Sequence, residues 1–233
     1  MERGLVIIPT YNEHENIPRL LPMVLEQDER LHVLIVDDAS PDGTGALADE
    51  IASTNARIHV MHRAGKLGLG TAYLDGFRWG IERKYDWMFE MDADFSHDPK
   101  YLPAFVAALD AGADVVVGSR NVPGGSVVGW GPLRHLISKG GSLYSQLLLG
   151  VGVRDLTTGF KAYTRQALEL LNIDAIRANG YAFQIETTYR ALQQGLRVVE
   201  LPIVFVDRRV GKSKMGLADV LEAVTGVIRM RLR

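Results

Sequence analysis

Short apolar runs and helix-period stretches alternate through the first half of the chain. Leu5 to Ile8, Val33 to Val36, Ile58 to Met61, Trp87 to Met91 and Val115 to Val117 are short, mainly apolar runs of the kind buried parallel strands use. Between them, at roughly Ile17 to Leu25, Thr44 to Ser53, Thr71 to Arg83 and Tyr101 to Leu109, apolar positions recur at helical spacing. That order predicts right-handed βαβ units in an open, doubly wound α/β sheet. Polar residues collect where the strands end: Pro9-Thr10-Tyr11-Asn12-Glu13 after the first, Asp37-Asp38 after the second, Asp92-Ala93-Asp94 after the fourth. In such sheets the carboxyl ends of the strands form the ligand crevice.

The second half is less regular. Residues 121 to 132 are rich in glycine and proline and read as a long loop that can move. Gly159 to Tyr163 and Arg197 to Val206 read as further strands, and helices are expected from about Tyr181 to Gln193 and from Leu217 to the end. Leu217, Val220, Leu221, Val224, Val227 and Ile228 fall on one helical stripe, which suits either an interfacial helix or packing on the domain's own core. Neither a repeat nor a linker divides the chain.

Composition narrows the chemistry. With no cysteine among 233 residues, disulfides, zinc-thiolate sites and thiol nucleophiles are excluded, which fits a reducing compartment. The N-terminus shows no signal-peptide pattern, so a cytosolic protein is expected. The longest uncharged stretch, Gly140 to Val153, has 14 residues against the roughly 20 that span a bilayer. A formal charge of −2 provides no global field toward nucleic acid or anionic lipid, and no nucleic-acid partner is expected. Two nucleotide motifs fail. Tyr73 stands where a dinucleotide fingerprint begun at Gly68-Leu69-Gly70 needs its third glycine, and Val206 stands where a P-loop ending in Gly211-Lys212-Ser213 needs its first.

The most informative constellation is Asp92-Ala93-Asp94. Two carboxylates flanking a small residue at a strand end are hard oxygen ligands, suited to Mg²⁺ or Mn²⁺ on a diphosphate. They equally suit a solvated turn, since Ser96, Asp98 and Pro99 follow and can start a helix. Asp38, Ser40, Asp42 and Gly43 read in the same two ways.

Taken in order, Pro9-Thr10-Tyr11-Asn12-Glu13, Val36-Asp37-Asp38-Ala39-Ser40-Pro41-Asp42-Gly43-Thr44, Asp92-Ala93-Asp94-Phe95-Ser96-His97, Gly118-Ser119-Arg120 and Arg208-Arg209-Val210-Gly211-Lys212-Ser213-Lys214 resemble the inverting glycosyltransferases of family 2. Within it they look most like the dolichol- or polyprenyl-phosphate mannosyltransferases. The resemblance implies a GT-A fold, a Rossmann-like doubly wound mixed sheet flanked by helices, with a catalytic domain over residues 1–214 and an amphipathic helix over 215–233. It implies a GDP-mannose donor, a polyprenyl phosphate acceptor and Mg²⁺ or Mn²⁺.

Residue by residue, the resemblance places Pro9, Tyr11, Glu13, Val36 and Asp38 around the nucleoside, and Asp92, Ala93 and Asp94 at the donor. Asp94 and Ser96 would meet the metal, and Arg208 and Lys214 the diphosphate. Arg120, Arg134 and Ser138 match its acceptor-phosphate positions, and an arginine pair with a hydroxyl is a good phosphate cradle on chemical grounds alone. A phosphate nucleophile, mostly dianionic at neutral pH, needs no general base; a hydroxyl acceptor would, and Glu186 is then the candidate. Longer family members carry spanning helices beyond this point, so the chain is expected to dock peripherally on the cytoplasmic face of a membrane or to rely on a membrane-spanning partner. The rival readings are a UDP-glucose-dependent polyprenyl-phosphate glucosyltransferase, a transferase acting on a saccharide hydroxyl, and an inactive nucleotide-sugar-binding subunit.

Overall fold

A computed structural model describes residues 2–176, 178, 180–207 and 217–232. In chain order the elements are β1 (Gly4–Thr10), α1 (Ile17–Leu25), β2 (Leu31–Asp37), α2 (Thr44–Thr54), β3 (Ile58–His62), α3 (Leu69–Glu82), β4 (Trp87–Glu90), α4 (Leu102–Asp110), β5 (Val115–Ser119), β6 (Ser126–Val128), α5 (Pro132–Leu149), β7 (Lys161–Thr164), α6 (Arg165–Leu170), α7 (Gly180–Gln193), β8 (Val198–Pro202), β9 (Val204–Val206) and α8 (Leu217–Leu232). Seven strands form one sheet in the order β3-β2-β1-β4-β7-β5-β8. All its pairs are parallel except those of β7, which runs antiparallel to both β4 and β5.

Burial on both faces explains the apolar runs. Along β1, Val6 and Ile8 enter the core under α1, α2 and α4, while Leu5 and Ile7 enter the core under α3, α6 and α7. A strand covered on both sides has no polar face to alternate with. Two sequence expectations are corrected. The run Arg197 to Val206 is two strands, because the chain leaves the main sheet at Ile203 and β9 pairs with β6 in a separate two-stranded sheet. The expected loop at 121 to 132 contains β6 itself, three residues long and framed by left-handed Gly124 and Gly129, so no period could reveal it.

A third apolar cluster lies between α5, α7 and α8, with Leu149, Leu156, Ala182, Ile185, Val227 and Met230 buried. The stripe read on the last helix therefore splits: Val227 faces inward, whereas Val224 and Ile228 are exposed. Gly226 lets the two helices approach, since a Cβ there would lie 3.2 Å from that of Ala182.

Helix α3 is drawn onto the sheet by the same device. A Cβ at Gly76 would lie 2.6 Å from Ile7, inside contact distance. Gly76→Ala should therefore destabilise the fold by about 1–3 kcal/mol in urea unfolding, although alanine is the better helix former, because overpacking outweighs propensity.

Candidate active site

The carboxyl ends of β1, β2 and β4 meet in one crevice, and each is followed by a non-glycine residue in the left-handed region: Asn12 at φ 61°, Ala39 at 54° and Phe95 at 62°. Such conformations cost about 1–3 kcal/mol apiece and persist where the surroundings hold them. Side chains do the holding. Asp37 accepts from the Thr10 hydroxyl (3.0 Å), the Ser40 N–H (3.0 Å) and the Ser40 hydroxyl (2.5 Å). Ser40 accepts in turn from the Asn12 N–H at 3.0 Å, and Thr44 from the Glu13 N–H at 2.9 Å. Ser40, Asp42 and Thr44 are thus turn scaffolding. Asp38 instead faces a buried arginine the sequence did not flag, Arg63, at 2.7 Å. Burial raises the Asp38 carboxyl above its usual range, with Arg63 opposing. Pro9 and Val36 pair across β1 and β2 one residue before each strand ends, and the Lys66 ammonium sits 4.6 Å over the Tyr11 ring.

The turn after β4 separates the two readings of its aspartates. Helix initiation is carried by Asp98, which caps Lys100 N–H at 3.0 Å, with Pro99 beginning the turn that leads into α4. Asp94 accepts from the Ser96 N–H (3.0 Å) and hydroxyl (2.5 Å), so Ser96 serves the carboxylate as a donor. Asp92 accepts from the Tyr73 hydroxyl at 3.3 Å, and its N–H donates to His97 Nδ1 at 3.0 Å. Ala93, between them, is buried. No three His, Asp or Glu side chains converge as a metal cage among the described residues. The donor set still fits Mg²⁺ or Mn²⁺, since such ions are commonly held by one or two carboxylates together with substrate phosphates.

Beneath this turn lies a cage of buried polar groups. Glu90 accepts from Tyr163 (2.9 Å) and from Gln184 Nε2 (2.6 Å), while Lys161 donates to the Gln184 carbonyl at 2.5 Å. Burial pushes the Glu90 carboxyl up to about 7 and the Lys161 ammonium down to about 8.

On the far side, Arg120 forks onto the fully buried Asp155 with two 2.7 Å bonds, and its N–H reaches the same carboxylate at 2.9 Å. Burial pushes the Asp155 carboxyl up, but Arg120 outweighs that and leaves it below the usual range. Arg134 pairs with Asp207 at 2.9 Å and lies 4.2 Å from the centre of the Trp130 ring. Arg120 and Ser138 line one cleft of about 210 Å³, walled by Trp130 and His135. The Trp130 Nε1–H is shielded from solvent and has no hydrogen-bond partner among the described residues.

The two sides are joined by rings. His97 contacts Phe205 at 5.6 Å, Phe205 contacts Trp130 at 5.4 Å, and Arg120 is 5.6 Å from each of the latter two rings. Glu186 stands apart: it is buried, and Arg190 grips it at 2.6 and 2.9 Å. Arg208 and Lys214 lie outside the described residues. Sequence reasoning missed Arg63, Trp130, Asp155 and Phe205, met Tyr73 only as the residue that breaks a dinucleotide fingerprint, and held His97 only as part of the motif after Asp92.

The sequence profile described as glycosyl transferase family 2 matches residues 5–171. A polyprenol monophosphomannose synthase of Mycolicibacterium smegmatis is 50% identical over 233 residues, which is 100% of this chain and 88% of that protein. An undecaprenyl-phosphate mannosyltransferase of Micrococcus luteus is 49% identical over 230 residues, covering 99% of this chain and 94% of the relative. Among solved structures, glucosyl-3-phosphoglycerate synthase from Mycobacterium tuberculosis, in complex with Mn²⁺, UDP-glucose and phosphoglyceric acid, superposes with a TM-score of 0.73 at 18% identity, over 99% of this chain and 80% of that one. The chain belongs to glycosyl transferase family 2: it is a hexosyltransferase with a single-domain GT-A fold.

The buried ion pair yields a stability test. Asp155→Asn strands the Arg120 charge and should cost about 3–5 kcal/mol in chemical unfolding. Because the Asp155 pKa is lowered in the fold, its contribution is complete above about pH 4 and is lost as pH falls through the lowered value, so the variant's penalty should shrink in acid. Glu90 has the opposite sign. Between about pH 4.5 and 7 the folded state keeps a proton that the unfolded chain releases, so stability falls as pH rises. Glu90→Gln should flatten that slope in pH-dependent melting.

Proposed function

We propose that the chain transfers mannose from GDP-mannose to a polyprenyl phosphate with inversion at the anomeric carbon, releasing GDP. The observation that carries the reading is the contrast between the two acceptor chemistries. Arg120, Lys139, Ser138 and Trp130 gather cationic and neutral hydrogen-bond donors around one cleft, as a phosphate requires, and Arg134 lies behind the Trp130 wall, 4.2 Å from its ring centre. Glu186, the carboxylate a hydroxyl acceptor would call on, is buried and held by Arg190. Two relatives matching nearly the whole chain, named for polyprenol monophosphomannose synthesis and undecaprenyl-phosphate mannosyl transfer, support both the sugar and the lipid.

Pro9, Tyr11, Glu13, Val36 and Asp38 surround the nucleoside, and the Asp38 carboxylate accepts from a base N–H. Asp92 and Ala93 meet the donor sugar and its phosphate. Asp94 and the Ser96 hydroxyl would hold Mg²⁺ or Mn²⁺. When bound, the ion supplies positive charge against the departing diphosphate. Arg208 and Lys214 add to that charge. The acceptor phosphate, with a second pKa near 6, is already the nucleophile at neutral pH, so its oxygen attacks the anomeric carbon in line as the bond to the diphosphate breaks. Arg120 stays on Asp155 and lends one edge to the phosphate, Ser138 donates its hydroxyl, and Arg134 exchanges Asp207 for it.

The acceptor's tail is membrane-bound, and a face of the protein suits that surface. Helix α5 exposes Leu136, Leu143 and Leu147, and α8 exposes Val224, Ile228 and Leu232 beside Arg229 and Arg231. The Tyr144 hydroxyl ties the two helices by donating to the Val224 carbonyl at 3.3 Å. No described helix is long and apolar enough to cross a membrane. Peripheral docking on the cytoplasmic face, with or without a membrane-spanning partner, is the corresponding location.

Mixed with undecaprenyl phosphate, Mn²⁺ and a panel of nucleotide sugars, the protein should release GDP from GDP-mannose at least tenfold faster than UDP from UDP-glucose. Preference for UDP-glucose would make it a glucosyltransferase. EDTA should abolish release, and Glu186→Gln should lower turnover by less than about tenfold, against the roughly 10²–10⁴ lost with a true general base. Arg134→Ala should cost about 1.5–3 kcal/mol in kcat/KM for the lipid while calorimetric affinity for the nucleotide sugar stays nearly constant. Equal weakening of both substrates would place the acceptor elsewhere.

A further inference from the structure

Asp92 is held from behind by two side chains to which the donor chemistry assigns nothing. Tyr73, on α3, is fully buried, and its hydroxyl donates to Asp92 Oδ1 at 3.3 Å. His97 is 2% exposed, and its Nδ1 accepts the Asp92 N–H at 3.0 Å. The carboxylate itself is about one-third open, with 31% of the side chain exposed, so it is gripped inside and presented outside.

Both grips are stiff. The Tyr73 ring stacks between Phe77 at 6.4 Å and Phe183 at 6.2 Å, the latter only 8° from parallel. Gly76, one turn along α3, sets how deep that phenol sits. The His97 ring stacks on Phe160 at 4.9 Å and meets the edge of Phe205 at 5.6 Å. Phe95, at φ 62°, turns the chain so that His97 folds back onto Asp92. To accept the Asp92 N–H at 3.0 Å, Nδ1 must present its lone pair, so the ring is held with that nitrogen unprotonated.

We propose that Tyr73 and His97 are positioning residues for glycosyl transfer, fixing the side chain and main chain of Asp92 in the orientation in which its carboxylate meets the donor. The proposal rests on the reading of Asp92 as a donor contact. A partly exposed aspartate left to itself samples several rotamers; one fixed in advance spends no reorganisation at the moment of reaction, and a misplacement of about 1 Å can cost 10²-fold in rate.

Tyr73→Phe removes only the hydroxyl and keeps the stacked ring. It should lower kcat about tenfold, with KM for polyprenyl phosphate unchanged, calorimetric affinity for GDP-mannose within threefold and the melting temperature nearly constant. Introduced into Asp92→Ala, the same change should cause no further loss, which a packing defect would not mimic. For His97, hydrogen exchange of the Asp92 amide in the ligand-free protein reads the grip directly. Exchange should quicken at least tenfold in His97→Leu and far less in His97→Asn, whose carbonyl can still accept, and kcat should follow the same order. Wild-type turnover in Tyr73→Phe, an equal loss in the Asp92→Ala background, or unchanged exchange in His97→Leu would each overturn the proposal. Should Asp92→Ala itself turn over normally, the donor reading of Asp92 fails, while the exchange measurement still reports whether His97 holds the turn.

Discussion

The fork between Arg120 and Asp155 is the interaction on which the second half of the structure hangs. An arginine and an aspartate removed from water carry a large desolvation cost, offset here because the two groups meet edge to edge and the Arg120 N–H adds a third bond. That geometry pins the end of β5 to the segment at 154–157, and with it the start of the loop that carries β6 and Trp130. Asp155 and Arg154 are secured again by Glu200, which accepts both of their N–H groups at 3.0 and 2.8 Å. A cleft with a charged wall needs that charge fixed in place before a ligand arrives.

How much of this could be read in the sequence depended on whether the signal was local. Strands buried on both faces announce themselves as apolar runs, and Ile17 to Leu25 was read as the helix it is because its buried residues repeat at the helical period. The start of the helix after Asp98-Pro99 and the turn reading of Ser40 and Asp42 were legible for the same reason, since each bonds within a few positions of itself. Pairings across the fold leave no such trace. Asp155 lies 35 residues from Arg120, and Gln184 lies 94 from Glu90. Nothing near Arg63 foretells that it will meet Asp38. The strand at β7 was legible from Gly159 to Tyr163, but its direction was not, because a four-residue strand inserted between β4 and β5 shows the same residues whichever way it runs.

The crevice is assembled on a principle that recurs on both sides. Groups assigned to ligands are backed by fixed ones: Asp38 rests on Arg63, Asp92 on Tyr73 and His97, Arg120 on Asp155. Rings from four separate segments, His97, Phe160, Phe205 and Trp130, fill the space between the halves. Apolar filler of that kind keeps water from the charges behind it and makes the electrostatic contacts in front stronger than they would be in solvent.

Gly226 gives the last helix a further property. By letting α8 lie against Ala182, with Val227 and Met230 in the interior, it makes that helix part of the domain's rigid body instead of a trailing tether. In the proposed docking, the surface under α8 therefore has a set angle to the crevice mouth. For a substrate confined to a plane, that fixed angle removes the rotational freedom that a flexibly tethered enzyme would surrender at every encounter. Freeing α8 from Ala182 would leave every chemical group in place and still loosen the aim of the crevice.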